Sequence, residues 1–440
     1  MNWLLRNKFA LFENRHNQMY ARCTSDTTTV FIAEPALIRE VLHRNKEFVK
    51  PVHMYGVLRF FGDNLVSTEG VDWKRHRKIV APAFSEQNNI LVHAASTRIA
   101  QEMFASWDRN KTGPRVQVSK DMTKFALAII SSAGFGIEFA WHDMNDKNVW
   151  HGHSLSFKNA LEIVVQRAVA FAVMPKALKM LPFKWMKDTK KGYDEFNQYL
   201  DELLDREVPE RPKNIVEMLL KASQEDSSAG LTRQELKGNA FVLIFAGHET
   251  TANTLSYALA LLAIHQDKQE SLYKESINVL EESQAPEYSD ISKLTYALAV
   301  MNETLRHFPQ PSTIPKYTAD KTLILGDTVL PPKTVLSFAT AALHMHTDIW
   351  GPDASEFKPE RWNEKKESML GFLPFSEGPR ACLGKRFAQI EFITLLTMIS
   401  VRYKWYVPDG VAEKELLESG TLLTTYPLKP IELIFTHRSV

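Results

Sequence analysis

The sequence predicts a mostly α-helical protein with minor antiparallel β structure. Apolar residues recur with the 3.6-residue period of amphipathic helices from about residue 89 to 204. A second helical stretch, from Thr232 to His265, contains no proline. Alternating β-branched residues occur in KYTADKTLILGDTVLPPKTVLSFAT, residues 316–340, and in the C-terminal TLLTTYPLKPIELIFT. Long helices with a few short strands are therefore expected.

Length and composition indicate one large folded body. The chain has 440 residues, of which 44% are hydrophobic, so it can bury a large core and general disorder is not expected. No internal repeat, low-complexity tract or Gly/Ser linker marks a boundary. We therefore predict a single domain over residues 1–440.

Charge and cysteine content exclude several classes of function. With 53 Lys and Arg against 52 Asp and Glu, net charge gives no support to nucleic-acid binding. Two cysteines, Cys23 and Cys382, rule out a disulfide framework and suit a reducing compartment. No run of 18 or more apolar residues occurs, so no transmembrane helix is expected in this chain.

The proline-free stretch predicts one very long helix. Thr232 and Glu235 have the T-x-x-E spacing of a capping box. About 33 residues at 1.5 Å each would make a rod of roughly 50 Å. Gly247 in its middle costs roughly 1 kcal/mol relative to alanine, and Thr250 and Thr251 can bond back to the preceding turn, which favours a kink or local unwinding. The alternative is a glycine that permits close packing on a neighbour.

Cys382 lies in PFSEGPRACLGKRFAQIEF, residues 374–392, and three interpretations compete for it. A phosphate-binding loop fails because Gly378 and Gly384 enclose five residues rather than four, and Arg386 stands where a Ser or Thr is needed. A nucleophilic cysteine would want a nearby histidine, and the segment has none. A metal-ligating thiolate stays open, since the helix N-terminus and Arg380 favour the ionised thiol and a macrocycle could supply the other ligands.

The same segment resembles the F-x-x-G-x-R-x-C-x-G signature of cytochrome P450 enzymes, through Phe375, Gly378, Arg380, Cys382 and Gly384. The resemblance implies a cytochrome P450 fold in which a long central helix crosses a haem. Cys382 would be the axial ligand of heme b, iron protoporphyrin IX. The two glycines would let the backbone approach the porphyrin, Phe375 would shield the thiolate, and Arg380 would pair with a haem propionate.

Further segments match the family pattern in order. Glu303 and Arg306 in NETLRHFP match its E-x-x-R helix. With Arg361 of PERW they would form a buried charge cluster. The alternative for Glu303 and Arg306 alone is an ordinary surface helix pair.

Additional cofactor contacts are implied outside these segments. Trp73 and Arg77 match a W-x-x-x-R helix that reaches a propionate. Lys316 stands where relatives often have an arginine and could pair as a simple cation. His344 matches a family histidine, for which a propionate contact and a purely structural role are both open.

The middle of the long helix, AGHETT, resembles the family segment A-G-x-[E/D]-T on the distal side of the haem. Glu249 and Thr250 would be the acid and alcohol that relay protons during oxygen activation. Ala246 would shape the pocket and Gly247 would leave room for dioxygen. His248 is interpreted as a surface or packing residue rather than a ligand.

The resemblance implies a haem-thiolate monooxygenase that inserts one oxygen atom of O2 into a lipophilic small molecule by hydroxylation or epoxidation. Electrons would come from NADPH through an NADPH-cytochrome P450 reductase. Local basic residues could steer this partner or merely form a solvated face; they are Lys74, Arg75, Lys78, Lys385 and Arg386. Alternatives are a haem-thiolate isomerase or dehydratase, which tends to lack the distal pair, and a non-enzymatic haem sensor.

Substrate and location are less specified. The pocket would draw on largely apolar residues at 50–70, 239–246, 311–315 and 421–424, and the texture resembles filamentous-fungal members of secondary metabolism. Microsomal relatives begin with a membrane helix and a Pro-rich hinge, which this sequence lacks. The resemblance implies the cytosolic face of the endoplasmic reticulum, and the absent anchor leaves a cytoplasmic location open. Peripheral membrane contact through residues 175–188 and a linker packed on the body are equal alternatives.

Overall fold

The computed structural model describes residues 2–109, 115–142, 149–173, 183–225, 230–364 and 371–438. Long helices dominate these ranges, as the sequence predicts. In chain order the α-helices are α1 Asn2–Asn7, α2 Pro35–His43, α3 Gly70–Val80, α4 Glu86–Asp108, α5 Val118–Ile129, α6 Phe157–Val173, α7 Lys184–Leu204, α8 Ile215–Glu225, α9 Arg233–Ile264, α10 Gln266–Leu280, α11 Thr295–His307, α12 Thr340–Leu343, α13 Thr347–Trp350, α14 Arg361–Glu364, α15 Lys385–Arg402 and α16 Glu413–Leu416.

The β structure consists of small sheets. The strands are β1 Met19–Cys23, β2 Thr28–Ile32, β3 Arg115–Gln117, β4 Ile314–Tyr317, β5 Leu323–Leu325, β6 Thr328–Leu330, β7 Thr334–Phe338, β8 Tyr403–Tyr406, β9 Ser419–Thr421, β10 Thr425–Pro427 and β11 Glu432–His437. Their orders are β1-β2-β7-β4, β3-β11-β8, β5-β6 and β9-β10. Every strand pair is antiparallel among the described residues except β2 with β7.

The chain divides into two compact units. The first comprises residues 1–51, 110–123 and 249–440, and the second comprises residues 52–109 and 124–248. All the strands named above lie in the first unit. The expectation of a single domain stays a prediction, and each unit is described by itself.

The first unit is built on the four-stranded sheet and the helices that follow it. Strand β7 is buried at every position because it lies between β2 and β4. Its side chains pack with those of neighbouring elements in one hydrophobic core, which includes Ile32, Val41, Phe48, Leu336 and Phe338. Burial of such side chains contributes about 1.5–3 kcal/mol each relative to exposure.

The second unit contains an aromatic core against which α9 packs. The ring of Phe61 lies 5.3 Å from that of Phe196 and 5.0 Å from that of Phe241. Nearby, a Cβ added to Gly238 would lie 2.5 Å from the carbonyl oxygen of Gly62, so only glycine allows this loop to approach the helix.

Helix α9 begins as the sequence predicts and continues without the interruption expected in its middle. The backbone N–H of Thr232 donates to Glu235 Oε2 at 2.9 Å, and the backbone N–H of Glu235 donates to Thr232 Oγ1 at 3.2 Å. The capping box is therefore confirmed. The helix is 32 residues long and helical throughout, so the local unwinding expected around Gly247 does not occur. None of the helices in the described ranges is both long enough and apolar enough to cross a membrane.

Candidate active site

The segment that carries Cys382 is a tight turn followed closely by a long buried helix. Residues Gly378–Arg380 form a 3-10 turn, and α15 begins at Lys385. The backbone N–H of Cys382 donates a hydrogen bond of 2.9 Å to the carbonyl oxygen of Phe375. Cys382 itself is exposed, whereas most of α15 is buried. The turn therefore presents the thiol at the accessible N-terminal end of the helix.

The residues of this turn fit a haem. Gly378 has a φ of +72°, in the left-handed region, and a Cβ added there would meet no heavy atom within 4 Å. Among the described residues, no three His, Cys, Asp or Glu side chains are grouped as metal ligands. A metal held by Cys382 would therefore need its remaining ligands from a non-protein group, and a porphyrin supplies four.

A buried charge cluster joins α11 to α14. Glu303 Oε1 accepts hydrogen bonds from Arg306 Nη2 at 2.8 Å and from Arg361 Nε at 2.9 Å. Trp362 Nε1 donates to Glu303 Oε2 at 3.0 Å. Burial raises the pKa of Glu303, but hydrogen bonds from Arg306 and His307 and the Arg306 charge outweigh it and hold that pKa well below its usual range. The predicted cluster is confirmed, and the surface-pair alternative is wrong because Glu303 and Arg306 are fully buried.

His344 connects this cluster to the segment that leads to Cys382. Its backbone carbonyl accepts a hydrogen bond of 2.9 Å from Arg306 Nη1, and its Nε2 accepts one of 3.0 Å from the backbone N–H of Leu373. Burial, followed by the Arg306 charge, lowers the pKa of His344 to about 3, so the imidazole is neutral and can accept at Nε2. Of the two roles expected for His344, these contacts support the structural one.

Helix α9 presents a short accessible strip within a buried stretch. Ala246 is exposed, and Thr250, one turn later on the same face, is half-buried. Thr251 and Ala252, which follow directly, are buried. The residues predicted to face the reaction therefore lie where α9 is accessible.

Glu249 has a partly satisfied carboxyl. Its Oε1 accepts a hydrogen bond of 2.8 Å from Thr424 Oγ1. Its Oε2 is buried and has no hydrogen-bond partner among the described residues. Burial raises the pKa of Glu249, and the Thr424 hydrogen bond offsets this in part. Such a carboxyl can hold a proton that an ordinary surface glutamate would have lost, as a proton relay requires.

The two residues that precede Glu249 are used in packing. A Cβ added to Gly247 would lie 3.1 Å from both Cδ1 and Cγ1 of Ile130, which is tighter than ordinary contact. His248 is buried, and its Nδ1 donates a hydrogen bond of 2.8 Å to the carbonyl oxygen of Ile244. The packing interpretation of His248 is confirmed, and the same interpretation of Gly247 gains support.

Comparison with known protein families identifies the family of this chain. The family model described as cytochrome P450 matches residues 4–434. The chain belongs to the cytochrome P450 family.

Similar proteins extend the cytochrome P450 assignment. Cytochrome P450 monooxygenase 124 of Postia placenta is 36% identical over 93% of this chain and 83% of its own length. Cytochrome P450 monooxygenase ORF6 of Penicillium roqueforti is 29% identical over 93% and 80%. Bifunctional cytochrome P450/NADPH–P450 reductase 2 of Bacillus subtilis is 27% identical over 84% of this chain and 35% of its own length. This chain is a haem-dependent monooxygenase of the cytochrome P450 family, as predicted.

The remaining predicted cofactor contacts of this cytochrome P450 stay predictions. Trp73 and Arg77 are half-buried on α3, in the second unit. Lys316 is buried on β4, in the first unit. Arg380 and Gly384 are half-buried beside Cys382, as is Phe375, over whose ring Lys385 Nζ lies 5.9 Å from the centroid.

The predicted basic patch needs one correction. The Arg75 side chain is bonded within the second unit: its guanidinium donates hydrogen bonds to Glu235 Oε2 at 3.0 Å and to the carbonyl oxygen of Gly230 at 3.1 Å. It is therefore wrong to count Arg75 among cations that face a partner. Lys74, Lys78 and Arg386 are exposed.

Two residues of interest were not identified from the sequence. Thr424 was placed in the expected pocket but not as the partner of Glu249, since nothing local links positions 175 residues apart. Glu391 is fully buried in α15, where burial raises its pKa well above the usual value and only the Thr251 hydroxyl opposes the shift. A lone carboxyl in the apolar run FAQIEFITLL was the available signal for Glu391.

Proposed function

We propose that this cytochrome P450 binds heme b through the thiolate of Cys382 and inserts one oxygen atom of O2 into a lipophilic small molecule. Hydroxylation or epoxidation in secondary-metabolite or lipid metabolism is the expected outcome. The observation that carries the proposal is the accessible thiol of Cys382, held by its backbone hydrogen bond to Phe375 in a turn that needs glycine at 378. The rest of the site is assigned around this ligand.

On the thiolate side, the chain's own residues would hold and shield the cofactor. The half-buried Phe375 ring would limit water access to the sulfur, and Gly378 and Gly384 would keep side chains away from the macrocycle. Cations would neutralise the propionates; they are Arg77, Lys316 and Arg380, and Trp73 would add a hydrogen-bond donor. When bound, a thiolate-ligated haem supplies oxygen activation, because the sulfur pushes electron density that favours O–O cleavage.

On the opposite side, α9 would supply protons and define the space for substrate. Glu249, whose pKa is raised by burial, would hold a proton, and the half-buried Thr250 hydroxyl would pass it on. The exposed Ala246 methyl would be an apolar wall for the substrate, and Gly247 would keep that part of the helix narrow. The presence of Glu249 and Thr250 favours a monooxygenase over an isomerase or dehydratase.

Electron delivery and location complete the proposal. Exposed Lys74, Lys78 and Arg386 are suited to steering an acidic reductase. Membrane contact is predicted for residues 175–188, of which residues 175–182 lie outside the described part of the chain. Its remaining part has Phe183 61% exposed next to the exposed Lys184 of α7, a combination suited to a membrane surface. We propose peripheral contact with the cytosolic face of the endoplasmic reticulum through this segment.

A ferrous carbonyl spectrum of the purified holoprotein tests the ligand assignment. The red-shifted Soret band of a thiolate-ligated haem is expected in the wild type and should be lost in Cys382→Ser. Cys23→Ser is the matched control, because Cys23 is exposed on β1 outside the turn, and it should leave the band unchanged. A histidine-type band in the wild type would overturn the proposal. Turnover of apolar candidates with NADPH and reductase, compared with added peroxide alone, then separates a monooxygenase from an isomerase.

A further inference from the structure

We propose that Thr424 is a positioning residue for the distal acid: its hydroxyl holds one oxygen of Glu249 and leaves the other as the proton-transferring atom. The inference rests on the proposed role of Glu249. The contact is a hydrogen bond of 2.8 Å from Thr424 Oγ1 to Glu249 Oε1, and Thr424 is only 6% exposed. With Oε1 occupied, the buried Oε2, which has no other partner in the described part of the chain, is the oxygen left to exchange a proton.

Hydrogen bonds to the hairpin β9–β10 fix the backbone that positions the Thr424 hydroxyl against Glu249. Next to Thr424, the backbone of Thr425 makes two hydrogen bonds with the Gln310 side chain, of 2.9 Å at its N–H and 2.8 Å at its carbonyl. Thr425 Oγ1 also donates to the carbonyl oxygen of Pro309 at 2.7 Å. Because Thr425 is fully buried, these contacts fix the backbone from which Thr424 reaches Glu249.

The hydrogen bond also changes the energetics of the carboxyl. Burial favours the neutral acid, whereas a donor bonded to a carboxylate oxygen favours the ionised form. For Glu249, burial is the larger effect and Thr424 opposes it; no ionised side chain among the described residues contributes to the shift. Thr424 therefore lowers a pKa that burial raises, so Glu249 loses its proton more easily than burial alone would allow.

The same hairpin carries an accessible apolar residue. Leu422, two residues before Thr424, is 56% exposed, and its backbone N–H donates a hydrogen bond of 3.2 Å to the Thr424 carbonyl oxygen. This hydrogen bond is a further restraint on the backbone that carries the Thr424 hydroxyl.

Infrared titration of the resting ferric protein tests the contact without turnover. The infrared band that is absent in Glu249→Gln is assigned to the Glu249 carboxyl. The pH midpoint of its titration is then measured in each variant. Thr424→Val, which removes the donor and keeps the shape, should raise the midpoint by about 1–2 pH units, since hydrogen bonds to charged groups contribute about 1.5–3 kcal/mol. Thr424→Ser should restore it, and Thr421→Val, whose hydroxyl lies 3.2 Å from Ser312 Oγ instead, should not move it.

An unchanged midpoint in Thr424→Val, or a Thr424→Ser variant that behaves like valine, would overturn the inference. Thr424→Ala provides a second donor-free variant if valine does not fold. The proposed role of Glu249 is tested separately, by comparing NADPH consumed with hydrogen peroxide released in Glu249→Gln. If the ratio of NADPH consumed to hydrogen peroxide released in Glu249→Gln equals that of the wild type, the proposed role of Glu249 is rejected. The infrared midpoint of the wild type and the Thr424 variants would still test the Thr424 contact.

Discussion

The imidazole of His344 accepts a hydrogen bond of 3.0 Å from the backbone N–H of Leu373. The backbone carbonyl of the same histidine is held by Arg306, a member of the buried charge cluster. Two residues beyond Leu373, the Phe375 carbonyl accepts the backbone N–H of Cys382. Hydrogen bonds therefore connect the cluster to Leu373, and two residues of backbone then lead from Leu373 to the turn that presents the thiol.

We expect His344→Leu to weaken both the fold and haem retention. The substitution leaves the Leu373 N–H buried without its acceptor, which typically costs about 1–3 kcal/mol. His344→Gln is the control, because its amide oxygen can replace the imidazole acceptor. Thermal unfolding and the rate of haem loss to an acceptor protein measure the two effects. Equal behaviour of the leucine and glutamine variants would contradict this account.

Acid lability should depend on His344. Its folded pKa of about 3 lies below the unfolded value of about 6.5, so the unfolded chain takes up the proton first as pH falls. The stability contributed by the neutral imidazole is therefore present above about pH 6.5 and is lost progressively as pH falls toward 3. His344→Gln should lose less stability over that interval, as measured by denaturant unfolding at several pH values. If the wild type and His344→Gln lose stability in parallel as pH falls, His344 is not a cause of acid lability. His307, whose folded pKa is lowered to about 4 mainly by burial, contributes to the acid lability that remains in His344→Gln.

Glu303→Gln should be severely destabilising. The change leaves Arg306 and Arg361 buried without their counter-charge, and breaking a buried pair in this way costs about 3–5 kcal/mol. Glu415→Gln, which removes an exposed ion pair with Lys429, is the control and should have no measurable effect. Denaturant unfolding of the holoproteins compares them. A mild effect at Glu303 would mean that the cluster is not a support of the fold.

Gly247→Ala should distinguish a packing role from a role in leaving room for dioxygen. Alanine favours a helix by about 1 kcal/mol, but crowding against Ile130 costs about 1–3 kcal/mol, so a net loss is expected. In an Ile130→Ala background the crowding is removed, and the same change should be neutral or stabilising. The free energies of unfolding of the wild type, the two single variants and the double variant give the energetic coupling between positions 247 and 130. An equal loss in both backgrounds would reject packing as the reason for glycine.

Glu391→Gln should stabilise the protein at neutral pH. Because the folded pKa of Glu391 is raised well above the unfolded value of about 4.3, the wild type loses stability as pH rises from that value through the folded pKa. Glutamine does not ionise, so the variant should gain on the wild type as pH increases from about 4 to 8. Glu413→Gln, on an exposed residue, is the control. A pH-independent difference would show that ionisation of Glu391 does not oppose folding.

Local patterns explain which features could be predicted. Thr232 and Glu235 are three residues apart, and so are Glu303 and Arg306; at that spacing helix geometry alone brings side chains together. The signature around Cys382 is likewise local, and the haem-ligand role predicted for it depends on residue types within ten positions. At Gly247 the sequence leaves a break and close packing both open, because helix propensity alone does not show the neighbouring Ile130; the structure has an unbroken helix there.

By itself, the sequence determined the helical class and the cytochrome P450 family, and it predicted Cys382 as the haem ligand and Glu249 and Thr250 as the acid and alcohol pair. Tertiary structure decided the partners: Thr424 for Glu249, Leu373 for His344, and Glu235 for Arg75. Each of these contacts joins residues from 29 to 175 positions apart. Such pairs depend on how whole elements pack, and burial, which raises or lowers each pKa, exists only after that packing is complete.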